Sequence, residues 1–161
     1  MDLLALQEIL HDLFVYENGH LYWRTSGSGR NHEVPAGARE SDGYRSVQVQ
    51  GKRYKMHRAV WIYHYGWIPK ALDHINGDRA DNRIENLRPC NTQQNGYNRS
   101  PSKDKMSKGI SFRPARWRAC IGVDSHTIQI GEFETQEEAQ DAYDAVAREW
   151  AGDYSKPTRS Y

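Results

Sequence analysis

Between Leu72 and Asn95 the chain reads LDHINGDRADNRIENLRPCNTQQN, a composition too polar to be ordinary core. Asp73 and His74 stand side by side at the end of a short apolar run that starts at Ala71. A loop rich in Asn, Asp and Gly follows, then a second short run, Asn86-Leu87-Arg88. A polar segment with Asn91, Asn95 and Asn98 at helical spacing comes last. That order predicts two short strands joined by a loop and closed by a helix. It returns a carboxylate, an imidazole and a carboxamide toward one another, the groups needed to hold a hard cation and to deprotonate a water beside it. Neighbours on a strand point to opposite faces. Asp73 and His74 therefore share a cleft only if the strand stops there, as the Asn76-Gly77-Asp78 turn implies.

The rest of the chain reads as soluble and globular. Its 161 residues suit one domain or two small ones, and 37% apolar with 27% charged residues is not a disordered composition. The opening MDLLALQEILHDLF carries acids and neither Lys nor Arg, so it is not a secretory leader, and no apolar run reaches membrane-spanning length. The expected location is the cytoplasm. Cys90 and Cys120 stand far apart without a CxxC partner, so no structural zinc is expected and both read as reduced thiols.

A net charge of +1 argues against nucleic acid until its distribution is read. Arg45, Lys52, Arg53, Lys55 and Arg58 follow one another with no acid between Gly43 and Arg58. Lys103, Lys105, Lys108, Arg113, Arg116 and Arg118 face only Asp104, while the acids gather between Glu134 and Asp153. Segregated patches leave room for a phosphate-binding face.

In chain order, Leu3, Leu6, Leu10 and Leu13, with Ile9 and Phe14, predict a short helix. Phe14 to Glu17 and His20 to Trp23 flank Asn18-Gly19, the strongest short hairpin signal. SGSGRNHEVPAG reads as a surface loop, and a second hairpin, Tyr44 to Val49 and Lys52 to Met56, turns at Gln50-Gly51. His57 to Tyr65 is a helix with Val60, Trp61 and Tyr65 inward, ended by Gly66. Residues 103–108 form a basic linker. Beyond it Gly109 to Arg113, Trp117 to Val123 and Thr127 to Phe133 read as strands. Thr135 with Glu138 forms a capping box for a helix whose apolar face is Ala139, Ala142, Tyr143, Val146 and Trp150. The opposite sheet face shows Arg113, Arg116, Arg118 and Gln129.

Asp73, His74, Asn86 and Asn95, with His57-Arg58-Ala59-Val60-Trp61 upstream, resemble the HNH endonuclease motif in its ββα-metal setting, in the form common in bacteriophages. Any one of these residues would pass for a loop residue making an Asx turn. That plainer reading suits Asn76, Asp81 and Asn82, but not the set. The resemblance implies a DNA phosphodiesterase with His74 as general base. Asp73 and Asn95 would hold one Mg²⁺ or Mn²⁺, and Asn86 would pin the loop and fix the histidine. Arg88 and Arg99 are candidate phosphate clamps, and Arg53, Lys55 and Arg58 candidate DNA contacts. His57 is secondary: structural, or a substrate contact.

The last third, KGISFRPARWRACIGV and IGEFETQEEAQDAYDAVAREWAG, resembles an AP2 DNA-binding domain. That resemblance implies a sheet laid into the major groove, with Lys108, Arg113, Arg116, Arg118 and Gln129 toward DNA. Ser111, Cys120 and Gln129 depart from the plant base-reading pattern, so fold and general role carry over but no target sequence does. The expected whole is α+β. An HNH nuclease over 1–102, with its ββα core at about 71–99, precedes the linker and an AP2-like domain over 109–161. Its partner would be double-stranded DNA, with a homodimer left open, and its type the free-standing homing endonuclease of phages, working in the host cytoplasm. The alternative is a DNA-binding protein with a non-catalytic HNH platform.

Overall fold

Leu6 and Leu10 lie one turn apart, and that spacing winds Leu3–Leu13 into helix α1 with both leucines buried. The structure, a computed structural model, describes residues 2–98, 108–124 and 126–155. By its internal contacts the chain divides into two units, Met1–Cys90 and Asn91–Tyr161.

In the first unit, fully buried Phe14 opens β1 (Phe14–Glu17), which pairs antiparallel with β2 (His20–Trp23). Asn18 and Gly19 make the turn with φ of 46° and 83°, the positive values that a two-residue hairpin of this hand needs. A second sheet has the order β3 (Ala38–Arg39), β4 (Arg45–Val49), β5 (Lys52–Lys55). Its β4–β5 turn is Gln50-Gly51, also at positive φ. β3 has no counterpart in the sequence reading, because two exposed residues carry no period to detect.

Helix α2 (Met56–Tyr65) buries Met56, Ala59, Val60, Trp61 and Ile62. It ends on Gly66, left-handed at φ 68°, whose N–H donates to Ile62 O at 2.9 Å. α1, β1, β2, β4 and α2 contribute to one apolar core. Strands β6 (Ala71–His74) and β7 (Leu87–Cys90) form a separate antiparallel pair, and Leu87 joins that core. Asn86 closes a 3-10 turn, Ile84–Asn86, one residue ahead of β7.

In the second unit α3 (Thr92–Asn98) is followed by a sheet of order β10-β9-β8. Its strands are β8 (Ile110–Arg113), β9 (Arg116–Val123) and β10 (His126–Phe133). Helix α4 (Gln136–Ala151) starts at the Thr135–Glu138 capping box. Ala119, Ile121 and Val123 alternate inward along β9 and meet Ala139, Tyr143 and Ala147, which are spaced four apart on α4. Tyr97 joins this core and donates its hydroxyl to Gly122 O at 2.9 Å.

The architecture is mixed helix and sheet, with small antiparallel sheets and a C-terminal helix, consistent with α+β. Two side chains depart from expectation. Tyr65, expected inward, is half exposed at the last residue of α2, where its ring lies 4.5 Å from Trp61. Trp150, read as part of the apolar stripe of α4, is exposed, while Ala151 beside it packs against the core with Ala147 one turn before it. By internal contacts the first unit ends at Cys90, ahead of α3. Arg99 and linker residues 103–107 lie outside the described residues. No helix among the described residues is long and apolar enough to cross a membrane.

Candidate active site

β6 pairs with β7 so that Asp73 stands opposite Arg88 and His74 opposite Leu87. Both Asp73 and His74 are buried. Arg88 donates from Nε at 3.1 Å and from Nη2 at 3.0 Å to the same oxygen, Oδ2 of Asp73. The arginine expected as a phosphate clamp thus lies on the carboxylate expected as a metal ligand.

The loop from residue 75 to 86 is held by its own polar side chains. Asn86 Oδ1 accepts from Asn76 N at 3.0 Å, while its Nδ2 donates to Asp81 O at 2.8 Å and to Asn76 Oδ1 at 3.0 Å. Asn76 and Asp78 make Asx turns to Asp78 N and Ala80 N. Asp81 takes two bonds from the Arg83 guanidinium and one from Asn76 Nδ2, and the Arg83 bonds hold its carboxyl down at about 2. Asn86 therefore ties the loop, and its bonds do not run to the imidazole.

The carboxamide on the imidazole belongs to Asn82. Its Oδ1 lies 3.1 Å from His74 Nε2, and its Nδ2 donates to Ala80 O at 3.0 Å. Only 1% of Asn82 is exposed, so this is no surface loop residue. The sequence reading assigns it to an Asx turn. The one available signal was its place in the DNR triplet beside a buried strand pair.

Two further rings pack around His74. His57, from α2, lies edge-on to His74 with centroids 5.2 Å apart. Tyr44 lies 5.2 Å from His57 and 5.9 Å from His74. Burial first, then the nearby His74, Arg58 and Lys55, hold His57 down at about 3, so its ring is neutral at physiological pH. Lys55 and Arg79 lie over the Tyr44 ring at 5.1 and 5.0 Å. No sequence pattern marks Tyr44 or Arg79, because both reach the site only through the tertiary fold.

The N-terminal hairpin braces this loop from outside. Tyr16 Oη accepts from Ile84 N at 2.9 Å. A Cβ built on Gly19 would stand 2.6 Å from Arg83 N and 2.9 Å from Asn82 C, on a residue already at φ 83°. Gly19→Ala is therefore expected to destabilise the protein by roughly 1–3 kcal/mol through strain and forced movement of the loop backbone. The urea midpoint reads this out, and an unshifted midpoint would mean that hairpin and loop separate at no cost.

The remaining expected contacts divide into engaged and exposed groups. Lys55 bonds to both Glu40 and Asp42, and these contacts raise its own value while lowering theirs. Arg53 is largely exposed on β5, and Arg58 is half-buried on α2. In the second unit Lys108 donates to Gly96 O and Tyr97 O at 2.6 Å, a helix-capping role. Arg118 is engaged by Glu132 at 2.9 Å and Arg116 reaches Glu134 at 3.8 Å, while Arg113 and Gln129 are exposed. Asn95 is half-buried in α3, its N–H donating to Asn91 O at 3.0 Å. Both cysteines are free thiols, and burial, with Asp73 nearby, raises that of Cys90.

Among the described residues no cluster of three or more His, Cys, Asp or Glu side chains could hold a metal. The donors on offer are one carboxylate and carboxamides, which suit a hard cation that keeps most of its water. The residues fit such an ion.

Residues 54–97 match the HNH endonuclease family. They include the His57 helix, the β6–β7 pair and its loop, and most of α3. The likeness of this segment is to an HNH endonuclease domain. Among curated proteins, the chain is 29% identical over 111 residues to an uncharacterized HNH endonuclease of Acanthamoeba polyphaga mimivirus, covering 66% of this chain and 58% of that protein. It is 33% identical over 76 residues to Protein 3.8 of Escherichia phage T7, covering 44% of this chain and 63% of that one. The chain thus spans 58% and 63% of the lengths of these viral relatives. No solved structure matches it.

Proposed function

We propose that the chain is a metal-dependent DNA endonuclease in which His74 is the general base and Asp73 and Asn95 hold one divalent cation, Mg²⁺ or Mn²⁺. The observation that carries this reading is a buried imidazole beside a buried carboxylate, its Nε2 met by an oriented carboxamide oxygen, within the HNH segment. Water gives its proton to the imidazole while its oxygen bonds to phosphorus. The bond from phosphorus to the 3′-oxygen breaks, and that oxygen takes a proton from solvent, leaving a 5′-phosphate and a 3′-hydroxyl. When bound, a divalent cation neutralises charge on the phosphate and on the leaving oxygen. Arg88 orients the Asp73 carboxylate, and Asn86 keeps the loop from opening.

The C-terminal unit is proposed as the reader, an AP2-like sheet on duplex DNA with Arg113, Arg116, Arg118 and Gln129 on the reading face. The three-stranded sheet with one face on α4 supports this, as do exposed Arg113 and Gln129 on the other. Engagement would have Arg116 and Arg118 exchange Glu134 and Glu132 for phosphates or base edges. A cutter joined to a reader fits a homing-type nuclease that acts on its host's DNA.

A nicking assay on supercoiled plasmid tests the reading. Conversion to open-circular or linear DNA is expected with Mg²⁺ or Mn²⁺ and none with EDTA. Equal cleavage in EDTA would remove the metal from the mechanism. DNA retarded in a gel without cleavage under any metal would leave a binding protein only.

A further inference from the structure

Asn82 does more than fill a loop. Its carboxamide has two distinct ends in two distinct contacts, Nδ2 on Ala80 O at 3.0 Å and Oδ1 on His74 Nε2 at 3.1 Å. The carbonyl at Ala80 can only accept, so it fixes which end of the amide is nitrogen. The oxygen therefore faces the imidazole, and an oxygen acceptor needs the ring proton on Nε2. In the neutral ring the lone pair is then on Nδ1.

The surroundings leave the amide little freedom. Asn82 is 1% exposed, the Asn18-Gly19 turn packs on the backbone at Asn82 and Arg83, and Tyr16 Oη holds Ile84 N. The neighbouring ring is neutral His57, which presents no charge to compete with the amide for His74. A loop residue chosen only for its turn would need neither this burial nor a side-chain oxygen aimed at the imidazole.

We infer that Asn82 is the positioning residue of the reaction: it holds His74 in the tautomer protonated at Nε2, so that Nδ1 is the atom that takes the proton from the attacking water. This rests on His74 being the general base. The reactive nitrogen is then set by a residue eight positions along the chain, across the loop that Asn86 ties. Loss of the amide lets the ring sample the other tautomer, in which Nδ1 carries a proton and cannot accept one.

The test joins NMR of the His74 ring nitrogens to single-turnover cleavage, on the full chain. Ring ¹⁵N shifts, recorded in EDTA so that no turnover intervenes, are expected to show Nε2–H in the wild type. Asn82→Leu keeps the branched shape, though not the smaller volume, and removes the acceptor; the folded variant is expected to give a mixture of tautomers. Its cleavage rate at saturating DNA should fall roughly ten- to a hundredfold, the scale for losing a partner that orients a functional imidazole, with unchanged DNA affinity. Asn82→Asp keeps an acceptor oxygen and should retain the wild-type tautomer and more activity than the leucine variant. A proton on Nδ1 in the wild type overturns the inference, as does a wild-type tautomer in a folded Asn82→Leu protein. If the tautomers behave as expected but His74→Ala cleaves normally, the positioning contact stands and the general-base reading fails instead.

Discussion

Cleavage by a His74→Ala variant is expected to fall by roughly two to four orders of magnitude, the scale of a lost general base, with DNA binding retained. The imidazole is buried at the end of β6, flanked by His57 and Tyr44 and bonded at Nε2 to Asn82. Alanine removes the proton acceptor and leaves the β6–β7 pairing untouched, since that pairing uses backbone groups alone. The loss should therefore fall on kcat and leave KM nearly unchanged, as for an interaction made only in the transition state. One side effect needs a control. The oxygen of Asn82 is left buried without its donor, at a cost of about 1–3 kcal/mol, so the urea midpoint is measured alongside. A folded variant that nicks plasmid at the wild-type rate would remove His74 from the chemistry.

The second large effect is on stability in mild acid. His57 sits at about 3 in the folded protein against an ordinary value of 6.5, chiefly because burial disfavours its charged form. Between those values the unfolded chain binds a proton that the folded chain refuses. The unfolded state thus binds more protons, and stability rises with pH across this window and is lost on acidification. From pH 6.5 to about pH 5 the loss from this one group is on the order of 2 kcal/mol. The lowered values of His20 and His64 add slope of the same sign, so the informative quantity is a difference. His57→Phe keeps a ring against Tyr44 and His74 and has nothing to protonate. Urea midpoints at neutral pH and near pH 5 should therefore converge in the variant relative to wild type. Identical acid slopes in the two proteins would mean that His57 is protonated without cost.

Local signals in the sequence were reliable where one residue's backbone preference decides. Asn18-Gly19 and Gln50-Gly51 turn at positive φ, Gly66 ends α2, and Thr135 with Glu138 caps α4, all as residue type demands. Periodicity found α1, α2 and the alternation of β9, but overran at Tyr65 and Trp150. A period says which face is apolar and not which of its side chains the opposing core covers. β3 was invisible for the converse reason, being too short to have a period.

The site follows the same division. By itself the sequence showed that an acid and an imidazole end a short apolar run, that a polar loop follows, and that the segment resembles the HNH type. These are properties of adjacent residues and their spacing. Only the tertiary structure decided that Asn82 meets the imidazole, that Arg88 lies on Asp73, and that His57 is held neutral against His74. Each depends on elements brought together from far along the chain: the Tyr16 and Gly19 hairpin braces the loop, and α2 lays its first turn over β6. Asparagine makes turns readily on its own, so from sequence a turn was the cheaper account of Asn82. Its burial, with the Asn18-Gly19 turn packed on its backbone, accompanies the contact with the histidine.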